Sequence, residues 1–382
     1  MNAKLKEIFG DINYSEEDIE KIVYSRDASK QDGFAYGVVF PTNIQQVHDL
    51  VRHANRQNLP LVIRGGGTSK VGGCVPQKAL VVDMSKMNKI LELTNDYIVI
   101  QAGVKLDNLN FREKEFPIKP IDKEARTMGG IIATNALDFK NINKNRISDW
   151  LLEVEMIDGN GKHLRMKRDI LKNVCGQEGL SGIIVQAKIK IKDKDKTTVK
   201  IMKFPLISRL IKELDQLLVK PNIVAIEYIG EHCSELLELG EGSHLIVEYS
   251  DAEGNIDEDV NVVWNMRKKL PFHLAINRYY DILDVQIPLN KVGQFLHWIR
   301  KNQVPCYGHI AKGIFYLSFK KDSKQIPEVK QFVKIMNGKI GVEFGIGLKN
   351  KQELTEEEKS RLQILKAQYD SKNIMNRGKV ID

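Results

Sequence analysis

Arg64-Gly65-Gly66-Gly67-Thr68-Ser69-Lys70-Val71-Gly72-Gly73 follows directly on the apolar run Leu61-Val62-Ile63. A short β-strand that runs into successive glycines is the stretch that decides the fold. Glycines adopt positive φ and let backbone N–H groups converge, so such a loop can form a nest for an anion. No Gly-Lys-Ser/Thr closes the loop, so it is not of the Walker type. Cys74-Val75-Pro76 stand where the helix of a Rossmann fingerprint should begin. Taken alone, the stretch also reads as a glycine-rich turn at a sheet edge.

Two more glycine elements follow. Thr127-Met128-Gly129-Gly130, with Ala133-Thr134-Asn135, lies about sixty residues on. Cys175-Gly176-Gln177-Glu178-Gly179-Leu180-Ser181-Gly182-Ile183-Ile184 follows after about fifty more. Around them the pattern alternates as in an α/β unit. The first ~35 residues read as helical, with Ser15-Glu16-Glu17-Asp18 as an N-terminal signal. Gly37 to Pro41 is a strand, Asn43 to Gln57 an amphipathic helix, and Leu80 to Asp83 and Tyr97 to Gln101 are further strands. Asp158-Gly159-Asn160-Gly161, between two apolar runs, signals a hairpin. In Lys188 to Ile191 lysines alternate with isoleucines, the period of a strand with one wet face. Beyond a charged stretch at Lys192 to Thr198, strands at Val224 to Ile229, His244 to Tyr249, Asp284 to Pro288 and Gly313 to Phe319 alternate with helices at Ile207 to Leu218, Val260 to Leu270 and Lys291 to Asn302. Thr355-Glu356-Glu357-Glu358 is a capping box that opens a last helix to Tyr369.

Composition narrows the class. The chain has 382 residues, 42% hydrophobic and 28% charged, as a soluble globular protein of two or three domains has. No run approaches the ~20 apolar residues that span a bilayer. Met1-Asn2-Ala3-Lys4-Leu5-Lys6-Glu7 has no apolar signal core, which predicts a cytoplasmic protein, at most peripheral to a membrane. Cys74, Cys175, Cys233 and Cys306 lack CxxC spacing, which argues against a zinc ribbon or an iron–sulfur cluster. The net charge of +8 comes from lysines interspersed with acids, a solvated surface; no aromatic interleaving suggests a nucleic-acid groove.

With three ordered glycine elements, the sequence resembles the FAD-binding PCMH-type family, the vanillyl-alcohol oxidase/p-cresol methylhydroxylase superfamily. Within it the resemblance is to the branch of glycolate oxidase FAD subunits and D-lactate dehydrogenases. Val38 to Pro41, Pro60 to Ser69, Phe116 to Gly130 and Gln177 to Ile184 carry it, as does the tail Ile374-Met375-Asn376-Arg377-Gly378-Lys379. The resemblance implies an α+β fold: a two-lobed α/β FAD-binding domain over residues 1–195, a smaller α+β cap with an antiparallel sheet over 196–350, and a C-terminal segment, 351–382, that returns to the first domain. It implies that Gly65, Gly66, Gly67, Thr68 and Ser69 hold the FAD pyrophosphate. Thr127, Gly129, Gly130, Thr134 and Asn135 would line the flavin and ribityl chain, and Gly182 and Ile184 the adenine end. Asn376 and Lys379 would lie near the isoalloxazine ring. The family's covalent attachment uses a His in the first loop; none stands there, so FAD is expected to be non-covalent.

The cap motifs depart from the family. Tyr307-Gly308-His309-Ile310-Ala311-Lys312-Gly313-Ile314-Phe315-Tyr316 resembles its His-x-Gly-Asp-Gly-Asn-x-His, with Tyr316 in place of the second histidine. Gly341-Val342-Glu343-Phe344-Gly345-Ile346-Gly347 resembles its Glu-His-Gly-x-Gly, with Phe344 in place of the histidine. His309 and Glu343 are the remnant of a metal set; two ligands fall short of the usual three, so no metal is expected. His309 is the expected base, with Tyr316 as a second candidate if Lys312 shares its strand face. Arg267, in Trp264-Asn265-Met266-Arg267, is the expected carboxylate clamp. The implied function is dehydrogenation of a small 2-hydroxy acid, D-lactate- or glycolate-like, with electrons passed to a separate acceptor: a quinone or a protein such as an iron–sulfur subunit. The alternative is a non-catalytic or electron-relay FAD subunit. A reductase of an enolpyruvyl sugar nucleotide, also built on this flavin fold, fits the cap motifs poorly.

Overall fold

The structure is a computed structural model that describes all residues except 1, 110, 112, 119–123, 139, 141–145, 195, 251–259 and 382. The chain forms two compact units. The first comprises residues 1–138, 146–193 and 343–382, and the second residues 139–145 and 194–342.

The first unit holds two main sheets. In the smaller, Phe34–Val39, Gln77–Asp83 and Leu61–Arg64 run parallel, with the short strand Tyr14–Ser15 antiparallel at the edge. The connecting helix Ile44–Gln57 starts where the Asn43 side chain accepts from the Gln46 N–H, and it buries Val47, Leu50, Val51 and Ala54. The larger sheet is antiparallel, in the order Ile90–Leu93, Tyr97–Gln101, Gly182–Lys190, Leu151–Asp158, His163–Lys167. The Asp158 to Gly161 hairpin and the Lys188 to Ile191 alternation both fall in it. One apolar core joins the two sheets, from Leu5 and Val39 to Ile189 and Met375. The N-terminal expectation is corrected. Gly10, at φ +67°, ends a first helix at Asn2–Phe9, and the chain enters a strand before the helix Asp18–Tyr24.

The second unit is a seven-stranded sheet in the order Thr197–Phe204, Ser243–Ser250, Ile223–Ile229, Cys306–Gly308, Ile314–Lys320, Tyr279–Gln286, Lys339–Ile340, antiparallel throughout. Strand alternation gives it two characters. Ile226, Tyr228, Leu245, Val247, Val285, Phe315 and Leu317 pack into one apolar core with Leu210, Leu214, Phe295 and Val333 from the helices. The intervening residues Glu227, Glu248, Asp284, Tyr316 and Ser318 are buried as well, so the opposite face is polar and buried. A buried polar face is costly unless its groups are paired. The helix expected to stop at Leu270 continues through Pro271 to Ile276 as Val260–Ile276; proline fits helical φ and removes one backbone bond.

Candidate functional site

The three glycine elements meet in the first unit. A Cβ on Gly66 would lie 1.6 Å from the Ala125 carbonyl oxygen, and one on Gly65 2.2 Å from Thr127 Oγ1. Gly66 therefore lies against the Ala125 backbone and Gly65 against the Thr127 side chain, with no room for a side chain at either position. Thr127 precedes the short helix Met128–Ala133, yet its hydroxyl makes no capping bond. Thr127 Oγ1 is buried without a hydrogen-bond partner among the described residues. A buried orphan hydroxyl is rare, and this one faces a cleft, where a polar ligand completes it. The cleft spans about 1080 Å³ and opens to solvent.

Gly65, Gly66, Gly67, Thr68, Ser69, Thr127, Gly129, Gly130, Thr134, Gly182, Ile184 and Asn376 all line this cleft. Asn135 does not. At φ +48° it turns the chain after the helix. Its Oδ1 accepts from the Ser148 N–H at 3.2 Å and the Cys175 thiol at 3.4 Å, so its carboxamide braces a neighbouring loop. Asn376 joins strand to glycine element: its Nδ2 donates to the Glu178 carbonyl at 2.5 Å, and its Oδ1 accepts from the Ile63 N–H at 3.3 Å. The Glu178 carboxylate accepts the Ile346 and Gly347 N–H groups at 2.7 and 2.9 Å. This fixes the segment whose Glu343 and Phe344 also line the cleft. Lys70 Nζ sits 4.6 Å from the centre of the Phe344 ring. Lys379 is buried, and its Nζ donates to the Gly73 carbonyl at 3.0 Å. Lys70, Cys74, Arg126 and Glu178 line the cleft without having been singled out from the sequence as FAD contacts.

A second cluster lies on the polar face of the second unit. Glu227, 1% exposed, receives both Nε and Nη2 of Arg267 on Oε1, each at 2.5 Å. Its Oε2 is 2.6 Å from His309 Nδ1. The other ring nitrogen, Nε2, is 3.0 Å from the Tyr316 hydroxyl. Burial alone would raise the Glu227 carboxyl, but the Arg267 guanidinium and His309 hold it below the usual carboxylate range. Arg267 stacks 4.4 Å from the centre of the Tyr307 ring. Gly308, at φ +151°, allows the tight passage into His309; a Cβ there would meet the Ile314 carbonyl oxygen at 2.4 Å. Three residues before Arg267 on the same helix, Trp264 Nε1 donates to Glu248 at 2.7 Å. Lys140 Nζ also reaches Glu248, at 2.5 Å.

Two expectations change here. The fork of Arg267, assigned by resemblance to a substrate carboxylate, is occupied by an internal one, and Arg267 is 2% exposed. Lys312 does not share a strand face with Tyr316, because it belongs to the 3₁₀ turn Ile310–Lys312. Gly313, in the left-handed region, separates that turn from the strand Ile314–Lys320. The Tyr316 hydroxyl faces His309. Glu227 was missed, although a lone acid within Ile226-Glu227-Tyr228-Ile229 is a sign of a buried pairing.

Both ring nitrogens of His309 already face hydrogen-bond partners. Among the described residues no group of three His, Cys, Asp or Glu side chains is placed to hold an ion. The residues do not fit the family's metal, and no step is derived through one. They do fit FAD, through the tightly packed glycines Gly65 and Gly66, the orphan Thr127 hydroxyl and the cleft they line.

A family model described as FAD binding domain matches residues 35–167, and one described as FAD linked oxidases, C-terminal domain, matches residues 225–380. The chain is 25% identical to the D-lactate dehydrogenase of Archaeoglobus fulgidus, over 90% of this chain and 91% of that protein. It is 24% identical to the D-2-hydroxyglutarate dehydrogenase of Stutzerimonas stutzeri, over 90% of each. It is 23% identical to the glycolate oxidase subunit GlcD of Bacillus subtilis, over 100% of this chain and 96% of that protein. In fold it matches a solved structure of alkyldihydroxyacetonephosphate synthase with a TM-score of 0.70 at 17% identity, covering 98% of this chain and 85% of that one. Among the described residues no helix is long and apolar enough to cross a membrane. The matched domains and the glycine-walled cleft together make this chain a member of the PCMH-type family of FAD-linked oxidoreductases, with FAD as its cofactor.

Proposed function

We propose that the chain dehydrogenates a small 2-hydroxy acid, D-lactate- or glycolate-like, and passes the electrons to a separate acceptor, a quinone or a protein. The observation that carries this reading is the buried His309, held between the Glu227 carboxylate and the Tyr316 hydroxyl. Oxidising a carbinol requires a group that takes the hydroxyl proton as the carbinol hydrogen leaves. A histidine suits that task near neutral pH. FAD supplies the two-electron acceptor when bound, without a covalent link. The loop Gly65 to Ser69 cradles its pyrophosphate through backbone N–H groups. Thr127, Gly129, Gly130 and Thr134 line its flavin and ribityl side, Gly182 and Ile184 its adenine end, and Asn376 the ring side. Arg267 keeps Glu227 charged, and Glu227 holds the His309 ring. The relatives' names support the substrate class: lactate, 2-hydroxyglutarate and glycolate are all 2-hydroxy acids.

Steady-state assays with an artificial electron-accepting dye and a panel of D-lactate, glycolate and D-2-hydroxyglutarate test the reading. Turnover with at least one acid supports it, and the absence of turnover with every acid counts against it. The occupied fork of Arg267 favours a second reading, an FAD subunit that relays electrons without binding the acid itself. In that case a chemical reductant would reduce the flavin and no hydroxy acid would.

A further inference from the structure

The C-terminal tail of the first unit has an anchored half and a lightly held half. In the anchored half Met375 pairs with Leu61 in a parallel bridge at the edge of the smaller sheet. The Leu61 N–H donates to the Ile374 carbonyl, and the Asn376 N–H to the Leu61 carbonyl, both at 2.8 Å. The Asp370 carboxylate accepts the Ile374 and Met375 N–H groups at 3.0 and 2.8 Å. Ile374 and Met375 also belong to the main core of the unit. The outer half stands apart from that core. Val380 and Ile381 pack with Leu180 and Leu362 in a satellite cluster of their own. Two further ties hold it: Lys379 Nζ donates to the Gly73 carbonyl at 3.0 Å, and the Val380 N–H to the Gly347 carbonyl at 2.8 Å. Val380 sits at φ +60°, where a β-branched residue is a genuine outlier. Such a conformation persists only where the surrounding contacts hold it.

Each tie ends on a wall of the FAD cleft. Gly73 closes the first glycine loop and lines the cleft. Gly347 follows Glu343 and Phe344, which line it too. That segment rests in turn on the first loop, where the Leu348 N–H donates to the Val71 carbonyl at 2.7 Å. Asn376, between the two halves, bonds to Ile63 and Glu178, which line the cleft as well. We propose that residues 376–381 are a strap hinged at Asn376, which holds the walls of the FAD cleft together, and that opening of its outer half is the step that limits FAD release. A small satellite cluster opens locally at lower cost than a main core. Opening also frees Val380 from its left-handed backbone, which lowers the cost further. Once Lys379 leaves Gly73 and Val380 leaves Gly347, the first loop and the 343–347 segment lose the tie they share, and the walls can part. The proposal rests on FAD as the cofactor and not on which acid the protein oxidises.

Two rates measured on the FAD-loaded protein test this. One is FAD release after dilution, followed by flavin fluorescence. The other is amide hydrogen exchange in the C-terminal peptide, followed by mass spectrometry. Leu362 and Ile381 hold the outer half of the strap without lining the cleft. Leu362→Ala and Ile381→Ser therefore loosen the strap and leave the FAD contacts alone. In each, tail exchange and FAD release should speed up by the same factor, of order tenfold or more. Ile381→Ser carries the test by itself if Leu362→Ala does not fold. Val47→Ala, in the main core under the helix Ile44–Gln57, is the control for general destabilisation. It should leave both rates at their wild-type values. Neither rate involves a hydroxy acid, so the dehydrogenase reading can fail while the strap stands. FAD release at the wild-type rate from a variant whose tail exchanges faster would overturn the strap. So would wild-type tail exchange in both variants, or faster FAD release from Val47→Ala.

Discussion

Asn376 donates from Nδ2 to the carbonyl of Glu178 at 2.5 Å, and in doing so ties the C-terminal tail to the third glycine element. Asn376 is 3% exposed and adopts φ +44°, a conformation that asparagine tolerates better than most residues. Its Oδ1 also accepts from Ile63, at the end of the strand that feeds the first glycine loop. One side chain therefore fixes the spacing of two walls of the FAD cleft. Asn376→Ala should cost about 1–3 kcal/mol, because it removes two part-buried hydrogen bonds, to the Ile63 N–H and the Glu178 carbonyl. Urea unfolding gives the stability, and fluorescence titration of released flavin should show weaker FAD binding. Unchanged stability and affinity would contradict this role.

Gly66→Ala should abolish FAD retention. The added methyl would meet the Ala125 carbonyl oxygen at 1.6 Å, a backbone atom that cannot swing aside. The variant should purify colourless with a wild-type far-UV circular dichroism spectrum. A yellow Gly66→Ala protein would mean that the loop and Ala125 do not approach so closely.

Much of this cleft was legible because glycine marks close backbone approach whatever surrounds it. The three glycine elements, the strand before the first and Asn376 in the tail all stand at one cleft. What could not be read was direction. Asn135 lies one residue beyond Thr134, yet its left-handed backbone turns its side chain to Ser148 and Cys175. Glu178 was seen only as part of a glycine run, although its carboxylate clamps Ile346 and Gly347 more than 160 residues away. In the second unit, His309 was found by motif. Its partner Glu227 was not, because pairing across strands Ile223–Ile229 and Cys306–Gly308 is a matter of register, which local pattern does not give. Arg267 has the chemistry of a carboxylate fork, and the carboxylate it holds in this structure is Glu227.

Lys379 predicts a pH dependence. Burial pushes its ammonium down to about 8 from 10.5, against the opposing charges of Cys74, Asp27 and Glu178. Below about pH 8 folded and unfolded chains both hold the proton, and the cost of burying the charge is constant. Between about 8 and 10.5 the unfolded chain holds the proton that the folded one has released, so this residue's contribution to stability rises with pH. At about 1.4 kcal/mol per pH unit the rise is of order 3 kcal/mol. Lys379→Met should remove it. Urea unfolding at a fixed saturating FAD concentration, compared between wild type and variant across that window, checks the slope; equal slopes would contradict the assignment.

Chelation should leave the reaction untouched. Both nitrogens of His309 are engaged, by Glu227 and Tyr316, so a divalent ion would have to displace a hydrogen bond to bind there. Prolonged dialysis against EDTA followed by a flavin-reduction assay should give the undialysed rate. A loss restored by added zinc or manganese would show that the cluster rearranges around a metal.

Flavin attachment is equally testable. Arg64 to Gly73 contains no histidine, so acid precipitation should release the flavin into the supernatant. Colour that stays with the pellet would mean a covalent bond to a residue elsewhere.

The most direct measurement of the central claim is the absorbance of the FAD-loaded protein mixed anaerobically with D-lactate, glycolate or D-2-hydroxyglutarate. The account predicts that at least one of these acids bleaches the oxidised flavin band, with the matching 2-oxo acid formed in equal amount to the flavin reduced. A flavin that dithionite bleaches and none of the acids does would contradict it.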